Sequence, residues 1–119
     1  MTHDINIHHE DNHESASSYL VEEIRNLLVN SNRDFSIGLS GGNTPKLTYS
    51  MMAEKFDDLS KTFLWTIDDR WIEEDNDLSN QRMINEYFER TDANILKFEF
   101  TSSSPESDAK KYEDKLKST

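Results

Sequence analysis

The sequence of 119 residues has no cysteine, only three glycines and two prolines, and no apolar run long enough to cross a membrane. Because cysteine is absent, the chain has no disulfide or thiolate chemistry, which fits a reducing cytoplasm. The first residues also lack the basic and then apolar layout of a signal peptide. A net charge of −11 disfavours nucleic acid and anionic membranes as partners. We therefore expect one cytoplasmic domain over residues 1–119 that binds neither nucleic acid nor membranes.

Histidine is also scarce, and it is confined to the beginning of the chain, at His3, His8, His9 and His13. Such a cluster is able to bind a transition metal adventitiously, but a solvated tail with a short edge strand at residues 5–8 is the preferred interpretation. No histidine after residue 13 is available as a general base. We expect neither a metal nor a cofactor.

Two of the three glycines are adjacent, in a turn between an apolar strand pattern at residues 35–39 and a helical pattern at residues 45–56. The turn consists of Ser40, Gly41, Gly42, Asn43 and Thr44. Thr44 is a suitable N-cap, and Pro45 suits the first helical position. A glycine-rich turn that opens into a helix N-terminus favours anion binding, because free N–H groups and the helix dipole face the ligand. The alternative is a plain connection between a strand and a helix.

Further strand patterns at residues 63–67 and 95–100 alternate with helical patterns, which predicts βαβ units and a parallel sheet. The other helices are predicted to begin at Asp11 or Asn12, at Ser79 and at Ser104. The predicted apolar stripe of the first helix consists of Ala16, Tyr19, Leu20, Ile24, Leu27 and Leu28. Ligands bind at the carboxyl ends of parallel strands, so residues 40–44 and 68–70 should lie at one edge.

A second group of candidate residues, Asp68, Asp69 and Arg70, follows the strand at residues 63–67. Adjacent carboxylates suit a sugar hydroxyl, and the planar guanidinium of Arg70 suits a phosphate or carboxylate. The alternative is an internal Arg–Asp ion pair that fixes the loop, and the residues alone do not decide between them.

Three further polar residues lie near helix starts. Ser79 is predicted to be an N-cap, and Asn80 beside it could reach a substrate hydroxyl. Lys46 and Arg82 lie in or near the first turns of their helices, where each could contact a phosphate or remain solvated.

Together the two motifs resemble a known family. Residues 38–45 resemble the Ser-Gly-Gly-Ser-Thr-Pro loop of 6-phosphogluconolactonases, and residues 68–80 resemble their Asp-Glu-Arg-x-Val-Pro…Asp-His-x-Asp-Ser-Asn block. The related glucosamine-6-phosphate deaminases have Tyr in place of Arg70, so the lactonase branch is more similar. The departures from the lactonase pattern are Asn43 for Ser, Asp69 for Glu, Glu73 for Pro, Asn76 for His and Leu78 for Asp.

The resemblance implies a Rossmann-like α/β fold and hydrolysis of 6-phospho-D-glucono-1,5-lactone to 6-phosphogluconate, a step of the pentose phosphate pathway. It implies that residues 40–44 bind the phosphate or ring hydroxyls, that Asp68 and Arg70 orient the lactone, and that Asn80 shapes the pocket. In the family, water attacks the lactone carbonyl with a histidine as general base, and no metal or nucleotide is required.

The resemblance covers only the first half of the family domain. The Gly-x-Asp-Gly-His segment of the second half, and its lysine near the phosphate, have no counterpart in these 119 residues. We therefore expect an incomplete α/β domain with weak or no activity by itself. The alternatives are a non-catalytic sugar-phosphate-binding or assembly module and a truncation product without a function. An exposed sheet edge further predicts self-association or pairing with a complementary C-terminal half.

Overall fold

The computed structural model describes residues 4–119. Four helices and three strands follow one another along the chain: α1 His13–Val29, β1 Phe35–Leu39, α2 Lys46–Lys55, β2 Thr62–Thr66, α3 Asn80–Phe88, β3 Asn94–Leu96 and α4 Pro105–Lys117. The strands form one parallel sheet in the order β1-β2-β3. Ile37 pairs with Leu64, and Leu64 pairs with Ile95. The predicted parallel α/β architecture is confirmed.

The hydrophobic core lies between the sheet and the helices α1, α2 and α3. Helix α1 contacts α2, and α2 contacts α3. Its buried members are Val21, Leu39, Tyr49, Met52, Leu59, Leu64, Ile84 and Phe88. Because β1 and β2 each contribute a buried leucine near the middle or end of the strand, the core anchors the loops that follow both strands.

Side-chain caps fix the beginnings of three helices. The side chain of Asn12 accepts a hydrogen bond from the Ser15 amide at the start of α1, and Ser79 and Ser104 cap α3 and α4 in the same way. These three predicted caps are confirmed, with Asn12 rather than Asp11 at α1. The prediction for Thr44 is wrong, because α2 begins at Lys46 without a side-chain cap.

Two strand predictions need correction. Residues 5–8 form no strand, and Ile5 and Ile7 are 84% and 75% exposed, so no apolar contact holds this segment against the sheet. The third strand ends at Leu96 rather than residue 100, because side chains rather than β2 form the hydrogen bonds to the backbone beyond Leu96. The Phe98 amide donates to Gln81 Oε1 at 2.8 Å, which directs the chain away from β2.

The apolar stripe predicted for α1 is only partly correct. Its buried residues are Ser17 and Val21, whereas Leu20 and Leu27 are 49% and 56% exposed. The helix is rotated so that Ser17, Val21 and Ile24, spaced at i, i+4 and i+7, face the core. Leu20 and Leu27 therefore face outward. The rest of the predicted stripe divides into exposed Ala16 and Tyr19 and partly buried Ile24 and Leu28.

Helix α4 is attached through two polar side chains. The Tyr112 hydroxyl donates to the Thr66 carbonyl and accepts from the Thr66 amide, both at 2.9 Å. Thr66 lies one residue past Trp65, which pairs with Leu96 at the end of β3. Burial raises the pKa of Tyr112 to about 12. Asp108 is buried and accepts from the Thr101 hydroxyl and amide and from the Trp71 indole. These hydrogen bonds, those from Thr101 first, lower the pKa of Asp108.

Candidate functional site

The glycine turn adopts a conformation that requires glycine and leaves N–H groups free. Gly42 has φ +90°, in the left-handed region that other residues rarely adopt. The amides of Gly41, Gly42, Asn43 and Thr44 donate to no acceptor within residues 4–119. A row of free N–H groups at a helix N-terminus is the arrangement that binds anions.

The second motif contacts this turn directly. A Cβ atom at Gly41 would lie 2.5 Å from Cγ and 2.7 Å from Nδ2 of Asn80, so only glycine fits there without displacing Asn80. The Asn80 Nδ2 group donates to the Asp68 carbonyl at 2.9 Å, and Asn80 Oδ1 accepts from Arg70 Nη1 at 3.3 Å. One buried amide side chain therefore joins the ends of β1 and β2.

Asp69 holds the start of α3. Its Oδ1 accepts from the amides of Arg70 and Asn80, both at 2.8 Å, and its Oδ2 accepts from the Gln81 amide at 3.0 Å. A carboxylate at a helix N-terminus is favourable, because it satisfies free N–H groups and interacts with the helix dipole. The oxygens of Asp69 are thus engaged in fixing the loop.

The guanidinium of Arg70 has no carboxylate partner among the described residues. Its Nη1 donates to the Leu78 carbonyl and to Asn80 Oδ1, both at 3.3 Å. The Arg–Asp ion pair considered from the sequence is therefore wrong, since the carboxylate beside Arg70 serves the α3 amides instead. Arg70 keeps further donors for a ligand.

A cleft of about 310 Å³ lies between the glycine turn and α3. It is lined by Gly42, Asn43, Lys46, Arg70, Asp77, Leu78, Ser79, Asn80, Arg82, Met83, Glu86 and Tyr87. Arg82 is paired with Asp77 and, at 2.9 Å, with Glu86. Lys46 and Arg70 form no ion pair within residues 4–119, so they make the cleft locally cationic in an acidic protein.

The remaining predicted site residues lie outside the cleft. Ser40, Gly41 and Thr44 line an apolar groove of about 590 Å³ on the other side of the turn, between α1, α2 and β1. Asp68 lines a third hollow of about 330 Å³, beside Tyr112. Its carboxylate is exposed and forms no hydrogen bond with residues 4–119. The structure thus brings together Gly42, Asn43, Arg70 and Asn80 in the cleft.

Two side chains that sequence reasoning did not assign to the site hold the glycine turn from the groove. Tyr49 Oη donates to the Ser40 carbonyl at 2.8 Å, and His13 Nε2 donates to the Thr44 carbonyl at 2.7 Å. His13 is exposed, as predicted, but it lies at the start of α1 rather than in a tail. No local signal could have revealed this contact, because 31 residues separate its partners. His3 lies outside the described residues.

No group of three or more His, Asp or Glu side chains within residues 4–119 is arranged to hold a metal ion. In the same range, none of the helices has the length and apolar character needed to span a membrane.

Known proteins with similar sequences or structures agree with one another. A 6-phosphogluconolactonase from Synechocystis sp. is 35% identical over 85 residues, which are 68% of this chain and 35% of that protein. The 6-phosphogluconolactonase structure from Shewanella baltica has a TM-score of 0.80 and 25% identity, over 90% of this chain and 48% of that one. The corresponding structure from Thermotoga maritima has a TM-score of 0.74 and 32% identity, over 86% and 50% of the two chains. The chain thus spans about half the length of the solved relatives.

The family model described as glucosamine-6-phosphate isomerases/6-phosphogluconolactonase matches residues 8–119. Because this match includes both motifs, the whole parallel sheet and all four helices, the chain belongs to the glucosamine-6-phosphate isomerase/6-phosphogluconolactonase family.

Proposed function

We propose that this chain supplies the sugar-phosphate-binding half of a 6-phosphogluconolactonase-type hydrolase that acts on 6-phospho-D-glucono-1,5-lactone. The observation that carries the proposal is the cleft, which is lined by Gly42 and Asn43, whose amides are free, and by the cations Lys46 and Arg70. In a chain of net charge −11, such a concentration of donors without carboxylate partners suits an anionic ligand. The names of the relatives support the lactone as substrate. A cytoplasmic role in the pentose phosphate pathway is part of the same proposal.

Each site residue has a role in this proposal. The amides of Gly42 and Asn43, with Arg70 and Lys46, bind the phosphate, while Ser40, Gly41 and Thr44 complete the turn that presents those amides. Asn80 shapes the pocket by holding Arg70 against the turn.

The chemistry is hydrolysis of a cyclic ester. Water adds to the lactone carbonyl, the bond between that carbon and the ring oxygen breaks, and the products are a carboxylate and a hydroxyl group. A positioned base accelerates such a step by about 10²–10⁴-fold. Asp68 is the carboxylate left for orienting the lactone or for accepting a proton, since Asp69 is engaged by the amides of α3. We expect the isolated chain to bind the sugar phosphate but to turn over lactone slowly or not at all.

The alternative is a non-catalytic sugar-phosphate-binding or assembly module. The position of Asp68 outside the cleft favours this alternative, because the anion-binding groups then lie apart from the free carboxylate. The two functions share the same binding site and differ only in turnover.

Hydrolysis of freshly generated 6-phosphogluconolactone, coupled to its dehydrogenase, separates these functions. The assay compares the chain with Arg70→Ala and with the control Arg90→Ala, a cation on the exposed surface. Binding of 6-phosphogluconate is measured in parallel by calorimetry, where Arg70→Ala should weaken affinity about tenfold or more and Arg90→Ala should not. Turnover that exceeds the spontaneous rate and requires Arg70, either by the chain alone or after the second half of a solved relative is added, supports the hydrolase. Binding without turnover under both conditions supports the module. If the chain neither binds nor hydrolyses, both functions are wrong.

We also infer that a complementary C-terminal polypeptide, rather than a second copy of this chain, covers β1 and the groove. In the described sheet, β1 pairs only with β2, and the adjoining groove exposes Leu20 and Ile67, which are 49% and 60% exposed. Solved relatives extend to about twice the matched length, which supplies an occupant of the right size. Sedimentation with and without the second half of a relative tests this inference. A compact monomer that does not bind the added half contradicts the inference. A homodimer supports self-association instead.

A further inference from the structure

His13 contacts the glycine turn although nothing in the family motifs includes it. It is the first residue of α1, whose start is fixed by the Asn12 cap. Its Nε2 group lies 2.7 Å from the Thr44 carbonyl oxygen, and since a carbonyl only accepts, the imidazole is the donor. The contact joins the first helix to the loop that carries the free amides.

Tyr49 anchors the other end of the same turn. Its hydroxyl donates to the Ser40 carbonyl at 2.8 Å. No peptide bond in the described chain is cis, so each N–H points away from the carbonyl before it. When Tyr49 draws the Ser40 carbonyl toward the groove, the amide of Gly41 is therefore turned to the opposite side.

The two anchors enclose the pair of adjacent glycines in the turn. Gly41 and Gly42 lie between them, and glycine loses more conformational freedom on ordering than any other residue. A loop that is already ordered before binding gives higher affinity, because less of the binding free energy is spent on ordering it. Anchors at both ends have this effect without occupying the N–H groups themselves.

We propose that His13 is a positioning residue that, with Tyr49, holds the glycine turn in its anion-binding conformation. This role rests on the proposed function only as far as the ligand is concerned, because the ordering of the turn exists without a ligand. His13 acts from the groove side and does not line the cleft.

The test uses three variants of the full chain: His13→Ala, His13→Gln, which restores an N–H donor, and the control His9→Ala, an exposed histidine that makes no hydrogen bond within residues 4–119. NMR titration with 6-phosphogluconate should show about five-fold weaker binding for His13→Ala, because one hydrogen bond to the turn is lost. We expect substantial recovery in His13→Gln and no change in His9→Ala.

A second measurement on the free protein keeps the two proposals separable. Heteronuclear NOE values for the amides of Gly41 and Gly42 should fall in His13→Ala and recover in His13→Gln. If they match those of His9→Ala, the positioning role is wrong, whatever the ligand affinities are. If the NOE values fall as expected but the unmodified chain binds no 6-phosphogluconate, the positioning role stands and the proposed function fails.

Discussion

The adjacent carboxylates Asp68 and Asp69 should differ sharply when each is replaced by alanine. Asp69 accepts hydrogen bonds from three backbone amides, at 2.8, 2.8 and 3.0 Å, two of which belong to the first turn of α3. Asp68 is exposed, and its carboxylate accepts none within residues 4–119. The pair therefore provides a matched test in which charge and sequence position are nearly constant.

We expect Asp69→Ala to lower the free energy of unfolding by about 2 kcal/mol, between the values for a lost N-cap and for a hydrogen bond to a charged group. Unfolding entropy of about 2.1 cal/mol/K per residue then predicts a decrease in Tm of about 8 °C. Asp69→Asn keeps one acceptor oxygen and should lose about half as much. Asp68→Ala should stay within about 0.5 kcal/mol of the unmodified chain.

Urea unfolding and thermal unfolding, both followed by circular dichroism, measure these differences. The m-value should stay constant, so that a change in midpoint reports a change in stability. If Asp68→Ala and Asp69→Ala destabilise the chain equally, the assignment of Asp69 to the start of α3 is wrong.

Three other substitutions test contacts that hold the loops. The pKa of Asp108 is lowered from 3.8 in the fold, so its carboxylate adds stability above about pH 4. This stability is lost as the pH falls through the folded pKa. Asp108→Asn should remove this acid dependence, measured by urea unfolding at about pH 2.5–6. Tyr112→Phe leaves both backbone groups of Thr66 without their partner and should cost about 1–3 kcal/mol, measured at pH 7. The raised pKa of Tyr112, about 12 against 10.0, means that its contribution is present below pH 10 and lost as pH rises toward 12, a dependence absent in the Phe variant. Gly42→Ala should cost about 1–2 kcal/mol in thermal unfolding because of its φ of +90°.

Local patterns were sufficient for most of the architecture. Hydrophobic runs, turn residues and helix caps are properties of a few neighbouring residues, and they correctly predicted the parallel strands and the caps at Asn12, Ser79 and Ser104. The third strand was overestimated because its apolar pattern continues to residue 100, whereas Gln81 takes the Phe98 amide. That contact joins residues 17 positions apart, so no window of neighbouring residues contains it.

The sequence by itself determined the family, the βαβ order and the two motifs, because these depend on residue type and spacing along the chain. Only the tertiary structure decided how the polar residues divide their roles. It assigned Asp69 to the amides of α3, left Arg70 without a carboxylate partner in the described chain, and brought His13 to Thr44. Each of these outcomes depends on which donors and acceptors meet after α1, α3 and the sheet pack together. Which donor pairs with which acceptor depends on distances across the fold. The spacing of residues along the sequence does not determine those distances.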